Sequence, residues 1–208
     1  MAERGHWDRV YQSKDATHVS WYRPRLDQSI DLITRTGIGP DAAIADVGGG
    51  ASTLVDDLLD RGFRNLTVVD ISAAPLEATK HRLGARAAQV TWRVGDVTTM
   101  DFPAHAFDLW HDRAVFHFLT DEGDRRAYIE RVCRSVRQGG FVIVATFGPH
   151  GPEKCSGLPV AHYSADELHH AFGGAFRLLE HRVEQHHTPW GAEQEFVYCL
   201  CAREQACD

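Results

Sequence analysis

Three acidic residues, Asp46, Asp70 and Asp96, stand at the ends of apolar runs, and the triplet Gly48-Gly49-Gly50 follows the first of them. A strand that ends in glycines and feeds a helix lets backbone N–H groups approach a ligand closely, and an acid ending the next strand can accept hydrogen bonds from ribose hydroxyls. Asp70 is placed for that role, 20 residues after Gly50 (70 − 50 = 20), near the spacing of about 20 that dinucleotide-binding units show. The chemistry indicated is the binding of a ribose ligand. A nicotinamide or flavin site wants Gly-x-Gly-x-x-Gly, and Thr53 stands where its last glycine would be. A phosphate-cradling loop of the Gly-x-x-x-x-Gly-Lys-[Ser/Thr] type needs a lysine that this turn lacks.

The elements that must position these residues alternate. "AAIADV" is a short apolar strand, "STLVDDLLDRG" a helix with Leu54, Val55, Leu58 and Leu59 on one face and Gly62 at its stop, and "LTVVDIS" a second strand. "APLEATKHRLG" reads as a helix capped by Ser72 and closed by Gly84, "VTWRVGD" as a third strand and "FDLWHDR" as a fourth. Residues 121–138 form a helix with Tyr128, Ile129, Val132, Cys133 and Val136 on its apolar face, ended by Gly139-Gly140. "FVIVATFG" is apolar throughout, as in a central parallel strand covered on both faces. The expected fold is α/β, a doubly wound, mostly parallel sheet. Beyond residue 148 a Gly/Pro-rich loop leads to the helix "SADELHHAFGG", then "FRLLEHRVEQHHT" and "EFVYCLCAR" make an antiparallel edge strand pair at the C-terminus. A single domain over 1–208 is expected: a cap at 1–35, a cofactor-binding core at 36–148, and a lid loop, helix and closing strands at 149–208.

In order and position, Asp46-Val47-Gly48-Gly49-Gly50, Asp70-Ile71 and Gly95-Asp96-Val97 resemble the motifs of the class I S-adenosylmethionine-dependent methyltransferases. The resemblance covers about residues 40 to 148 and extends to the two terminal strands. It implies a seven-strand, Rossmann-like fold and S-adenosylmethionine as cofactor, with Asp46 organising the glycine loop, Gly48, Gly49 and Gly50 lining it, Asp70 on the ribose, Asp96 on the adenine side, and Ile71 and Val97 as apolar walls against the adenine ring. Ser52 departs from the third glycine of many members and is similar to a branch that includes protein lysine methyltransferases. "WHDRAVFHFL" also resembles that branch, with Asp112-Arg113-Ala114 where Asp-Lys-Gly is frequent.

Methyl transfer from a sulfonium is an in-line displacement, so holding donor and acceptor together in a dry pocket supplies most of the catalysis, and a base is needed only for a protonated acceptor. His111, Asp112, Arg113 and His117 follow the fourth strand, where open α/β sheets bind ligands. His111 is a candidate contact for the methionine moiety. His117 is the candidate general base, since an imidazole with an ordinary pKa near 6.5 suits proton removal at neutral pH. Trp7, Tyr11, Trp21 and Tyr22 read mainly as packing of the N-terminus, with a lid contact to the cofactor from Trp21 or Tyr22. His181 and His187 share a face of the sixth strand, with His186 opposite, and one of the three is a candidate for the acceptor pocket.

The formal net charge of -7 argues against affinity for nucleic acid or an acidic membrane surface. The longest apolar stretch, 141–147, is far shorter than a membrane span, and a cytoplasmic protein is expected. Five cysteines without regular spacing are expected to be reduced, with Cys155 an inert loop thiol, and thirteen histidines without His-Glu-x-x-His predict no metal site and mostly surface positions. The leading expectation is transfer of a methyl group to a small-molecule acceptor. The alternatives are a protein lysine methyltransferase, a cofactor-binding protein without catalysis, and a nicotinamide dehydrogenase whose fingerprint is incomplete.

Overall fold

The structure, a computed structural model, describes residues 4–13 and 16–205. Its elements are α1 (Arg4–Ser13), α2 (Asp27–Arg35), β1 (Ala43–Val47), α3 (Leu54–Asp60), β2 (Asn65–Asp70), α4 (Ala73–Leu83), β3 (Val90–Val94), β4 (Phe107–Arg113), α5 (Glu122–Ser135), β5 (Val136–Phe147), β6 (Lys154–Cys155), β7 (Leu158–Pro159), α6 (Ala165–Phe172), β8 (Phe176–His187) and β9 (Glu193–Arg203). The main sheet has seven strands in the order β3-β2-β1-β4-β5-β9-β8. The strands β1 to β5 pair in parallel, β9 runs antiparallel to β5, and β8 antiparallel to β9. This is the α/β Rossmann-like architecture, with its antiparallel pair at one edge. No helix among the described residues is long and apolar enough to cross a membrane.

Alternation along the central strands sorts side chains into two cores. Ile44, Leu109, Ile143, Ala145, Tyr198 and Leu200 face the core shared with α2, α3 and α4. Ala45, Trp110, Val142, Val144, Val197 and Cys199 face the core shared with α5 and α6. Because successive strand residues point to opposite faces and both faces are covered, residues 43–45, 141–145 and 196–202 in β1, β5 and β9 are unbroken apolar runs, with polar side chains toward the strand ends. Asp46 is paired there in register with His111 on the neighbouring strand β4.

Local chemistry explains most boundaries. Asp121 caps α5 by accepting from the Gly123 and Asp124 N–H groups, and α6 opens with a capping box between Ser164 and Glu167. Three local expectations are corrected. The helix of 121–138 ends at Ser135, because Val136 is already paired with Phe107 and Gly139 (φ 73°) lies within β5. Ser72 precedes α4 but makes no side-chain cap; its hydroxyl donates to Asp8 Oδ1 at 2.5 Å, tying α1 to α4. The segment after residue 148 contains a two-stranded hairpin, β6 with β7. Cys133 is disulfide-bonded, where reduced thiols were expected, while Cys155, Cys199 and Cys201 form no disulfide.

Candidate active site

The carboxyl ends of β1, β2, β3 and β4 meet at the point where the chain order reverses, with β2 on one side of β1 and β4 on the other. Crevices at such switch points are where open α/β sheets take ligands. The glycine turn after β1 is pulled over β2: the N–H groups of Gly48 and Gly49 both donate to the Val69 carbonyl, at 2.8 and 3.2 Å. Gly48 has φ 69°, and a Cβ there would fall 2.0 Å from Val115 Cγ2. At Gly50 (φ 32°) a Cβ would meet Asp70 Oδ2 at 2.7 Å. Both positions therefore need glycine for conformation and for space. Thr79 in α4 donates to the Gly50 carbonyl at 2.8 Å and holds the far side of the turn.

Two adjoining cavities open on this turn. One, of about 720 Å³, is lined by Asp70, Ile71, Gly95 and Val97 on the sheet side and roofed by Trp7, Tyr11, Trp21 and Phe118. The second, of about 480 Å³, is lined by Asp46, Gly49, Ser52, His111, Arg23 and Tyr22. Tyr11, Trp21, Val47, Gly48 and Arg113 belong to both and form their junction.

Asp70 is 8% exposed, accepts from the Ser72 N–H at 2.9 Å, and faces the larger cavity. Burial lifts its pKa to about 7, with the Asp46 charge adding to the effect and the Ser72 N–H opposing it. A buried carboxylate with spare acceptor capacity suits the two hydroxyls of a ribose. Asp46 lies one strand over. Its Oδ1 bonds His111 Nδ1 at 2.8 Å, His111 Nε2 bonds the Ser29 hydroxyl at 2.9 Å, and Oδ2 is buried with no hydrogen-bond partner. An orphaned buried carboxylate oxygen in a cavity is a receptor for a cation, and the α-ammonium of adenosylmethionine fits it.

Several expectations change at this site. His111 is 1% exposed, lines the smaller cavity, and has both ring nitrogens taken by Asp46 and Ser29, so it orients the Asp46 carboxylate and has no ring nitrogen left to bond a methionine moiety. His117 is fully buried beside Phe118 and Phe147, its Nδ1 accepts from the Phe147 N–H at 3.3 Å, and it lines neither cavity. Burial, with the nearby Arg113 and His162 charges, lowers its pKa to about 3. An imidazole that weakly basic and out of reach of the cavity is not the general base.

Asp96 turns inward to its own loop, accepting from the Thr98 N–H and hydroxyl at 2.8 and 2.6 Å, and the wall here is made by its neighbours Gly95 and Val97. Asp112 points to the opposite face from His111, where it accepts from Tyr128 and from the Val115 and Phe116 N–H groups, fixing the turn that presents Val115 and Phe118. His181 and His187 are exposed, whereas His186 is buried against the Ser20 carbonyl at 2.6 Å; none lines the cavities. Cys155, expected as an inert loop thiol, is buried in β6 and lines the larger cavity.

The roof was only partly foreseen. Trp21 lines both cavities, with Trp7 edge-on to it at 5.8 Å and to Phe118 at 5.1 Å, and Tyr11 edge-on at 6.2 Å. The aromatic spacing of Trp7 and Tyr11, four residues apart, is a one-face helical signal that was available in the sequence. Ser29, 82 residues from its histidine partner, left no such signal.

Comparison with known proteins agrees with this geometry. A family model for a methyltransferase domain matches residues 44–140. The chain is 25% identical over 179 residues to the eEF1A lysine and N-terminal methyltransferase of Mus musculus, an alignment that covers 86% of this chain and 24% of that protein. The chain thus spans about a quarter of the length of that curated relative. Among solved structures, the N-methyltransferase NodS from Bradyrhizobium japonicum, in complex with S-adenosylhomocysteine, is similar with a TM-score of 0.74 at 15% identity, over 96% of this chain and 100% of that one. The 1,6-didemethyltoxoflavin-N1-methyltransferase of Burkholderia thailandensis, with its namesake compound and S-adenosylhomocysteine bound, has a TM-score of 0.66 at 18% identity, over 97% of this chain and 84% of that one.

Proposed function

We propose that the chain is a class I S-adenosylmethionine-dependent methyltransferase that transfers the methyl group to a small-molecule acceptor. The observation that carries this reading is the roof of the larger cavity: Trp7, Tyr11, Trp21, Phe118 and Cys155 close over the site, and the only carboxylate lining it among the described residues is Asp70. A lysine side chain entering from a protein would be favoured by an open acidic groove, whereas an aromatic enclosure favours a compact body that leaves water behind.

In this reading Asp70 holds the ribose, Ile71 and Val97 flank the adenine, and Asp46, oriented by the His111–Ser29 chain, holds the α-ammonium. Arg23, which lines only the smaller cavity, is the cation for the cofactor's carboxylate. The cofactor supplies an activated methyl on a sulfonium. The protein's own contribution is placement of the acceptor in line with it, exclusion of water by the aromatic roof, and favourable ring faces for a cation.

A second reading, protein lysine methylation, is favoured by the mouse relative named above. One experiment separates the two. Calorimetric titration with adenosylmethionine establishes binding, Asp70→Ala is expected to weaken it at least about tenfold, and turnover is then followed with a small-molecule panel beside intact elongation factor and lysine peptides. Turnover of small molecules supports the proposal; methylation confined to the protein and peptide substrates overturns it.

A further inference from the structure

Arg113 lies at the junction of the two cavities and is used by nothing described so far. Its side chain is 5% exposed. Its Nε donates to the Tyr198 hydroxyl at 2.8 Å, its Nη1 to the Trp21 carbonyl at 3.0 Å, and its guanidinium plane rests on Phe196 with 4.3 Å to the ring centroid. Nη2 has no hydrogen-bond partner; the nearest acid, Glu184, stands 3.8 Å away, within ion-pair range but beyond a hydrogen bond. Glu184 is itself engaged by Tyr198 at 2.7 Å and Arg23 at 3.4 Å. A buried guanidinium held on three sides, lining both cavities and with Nη2 making no hydrogen bond, keeps donor capacity for an anion.

Among the described residues lining the junction, the carboxylates Asp70 and Asp46 are the groups that could take a proton, and the reading above commits both to the cofactor. His117 is outside the cavities, both nitrogens of His111 are committed, and burial raises the Tyr11 pKa, which disfavours a phenolate. A nucleophile methylated here without a base must arrive with an available lone pair, and a carboxylate, ionised at neutral pH, does so.

We propose that the acceptor is a small aromatic or apolar carboxylic acid whose carboxylate is gripped by Arg113 Nη2 and is itself the group methylated. This deepens, and rests on, the small-molecule reading above. One carboxylate oxygen accepts from Nη2 while the other attacks the methyl carbon. The new C–O bond forms as the C–S bond breaks, the bonding pair passes to sulfur to give the neutral thioether, and the positive sulfonium and negative carboxylate become a neutral methyl ester with no proton transferred.

The test incubates wild-type protein and adenosylmethionine with benzoates, phenylacetate and indole-3-acetate, and with the matching amides, alcohols and amines, and reads base-labile methyl esters by mass spectrometry. Esters from the acids, with the neutral analogues inert, are expected. Arg113→Gln is expected to raise the acid's KM about tenfold or more while the calorimetric affinity for adenosylmethionine stays the same. Three outcomes overturn the inference: base-stable methylation of the neutral analogues, which leaves the small-molecule reading standing; an Arg113→Gln variant that loses cofactor affinity, which makes Arg113 a cofactor ligand; or no ester from any acid by a protein that binds cofactor. Base-stable methyl groups confined to lysine peptides overturn both readings. If Arg113→Gln does not fold, the wild-type product chemistry decides alone.

Discussion

Asp70 shows how burial is used at the scale of one residue. Its carboxyl has an ordinary pKa of 3.8 and one of about 7 in the fold. The folded state holds the proton more tightly than the unfolded chain, so stability from this group is present below about pH 4 and is lost as pH rises through 7. Asp70→Asn is therefore expected to raise the ligand-free melting temperature at pH 8 by several degrees while removing cofactor binding; a melting temperature that falls would contradict this. For the same reason cofactor affinity should drop as pH falls below about 7, because a protonated Asp70 is a poorer acceptor for ribose hydroxyls, and calorimetry at pH 6 and pH 8 measures it. Gly48→Ala is a steric counterpart. With φ at 69° and Val115 Cγ2 2.0 Å from the new methyl, it should cost about 1–3 kcal/mol and abolish binding, read by melting and titration together.

At the scale of elements, α1 is a roof tile hung from the core. Arg4 donates to the Ile71 carbonyl at 3.1 Å, Ser72 donates to Asp8, and Trp7 sits edge-on to Trp21 and Phe118. The roof covers the site without belonging to either hydrophobic core, since α1 has no fully buried residue. Trp7→Ala is expected to raise the acceptor KM about tenfold with a change in melting temperature of only a few degrees; a large loss of stability would instead make α1 part of the folding core. By contrast, Tyr128 joins α5 to β4 through Trp110 and Asp112, all fully buried. Tyr128→Phe leaves Asp112 and the Trp110 N–H short of a partner and should destabilise by about 1–3 kcal/mol in denaturant unfolding.

At the scale of the whole molecule, the proposed cofactor site lies at the ends of four strands that the chain reaches only by successive crossovers. Binding that joins them stabilises the native state alone. Adenosylmethionine at a hundred times its dissociation constant is expected to add about 2.7 kcal/mol, a rise of roughly 5–10 °C in melting temperature for a chain of this size. NAD should produce no such rise, and an equal shift with NAD would revive the dehydrogenase alternative.

What the sequence by itself determined is whatever depends on local periodicity and ordered spacing. The strand and helix alternation, the glycine turn with Asp46 before it and Asp70 after it, and the closing strand pair were legible because each is written within a few consecutive residues. Tertiary structure alone decided which of two neighbours on a strand faces the ligand. His111 and Asp112 are adjacent in sequence yet serve opposite faces, one orienting Asp46 and the other bracing a turn through Tyr128. His117 has the residue type of a base, but its surroundings strip it of basicity. Arg113 shows the reverse: its neighbours at Trp21 and Tyr198 lie 92 and 85 residues away, and only packing brings them together to leave one N–H pair unclaimed. Desolvation and hydrogen-bond partnership are set by contacts between distant segments, and these set what a titratable or charged side chain can do.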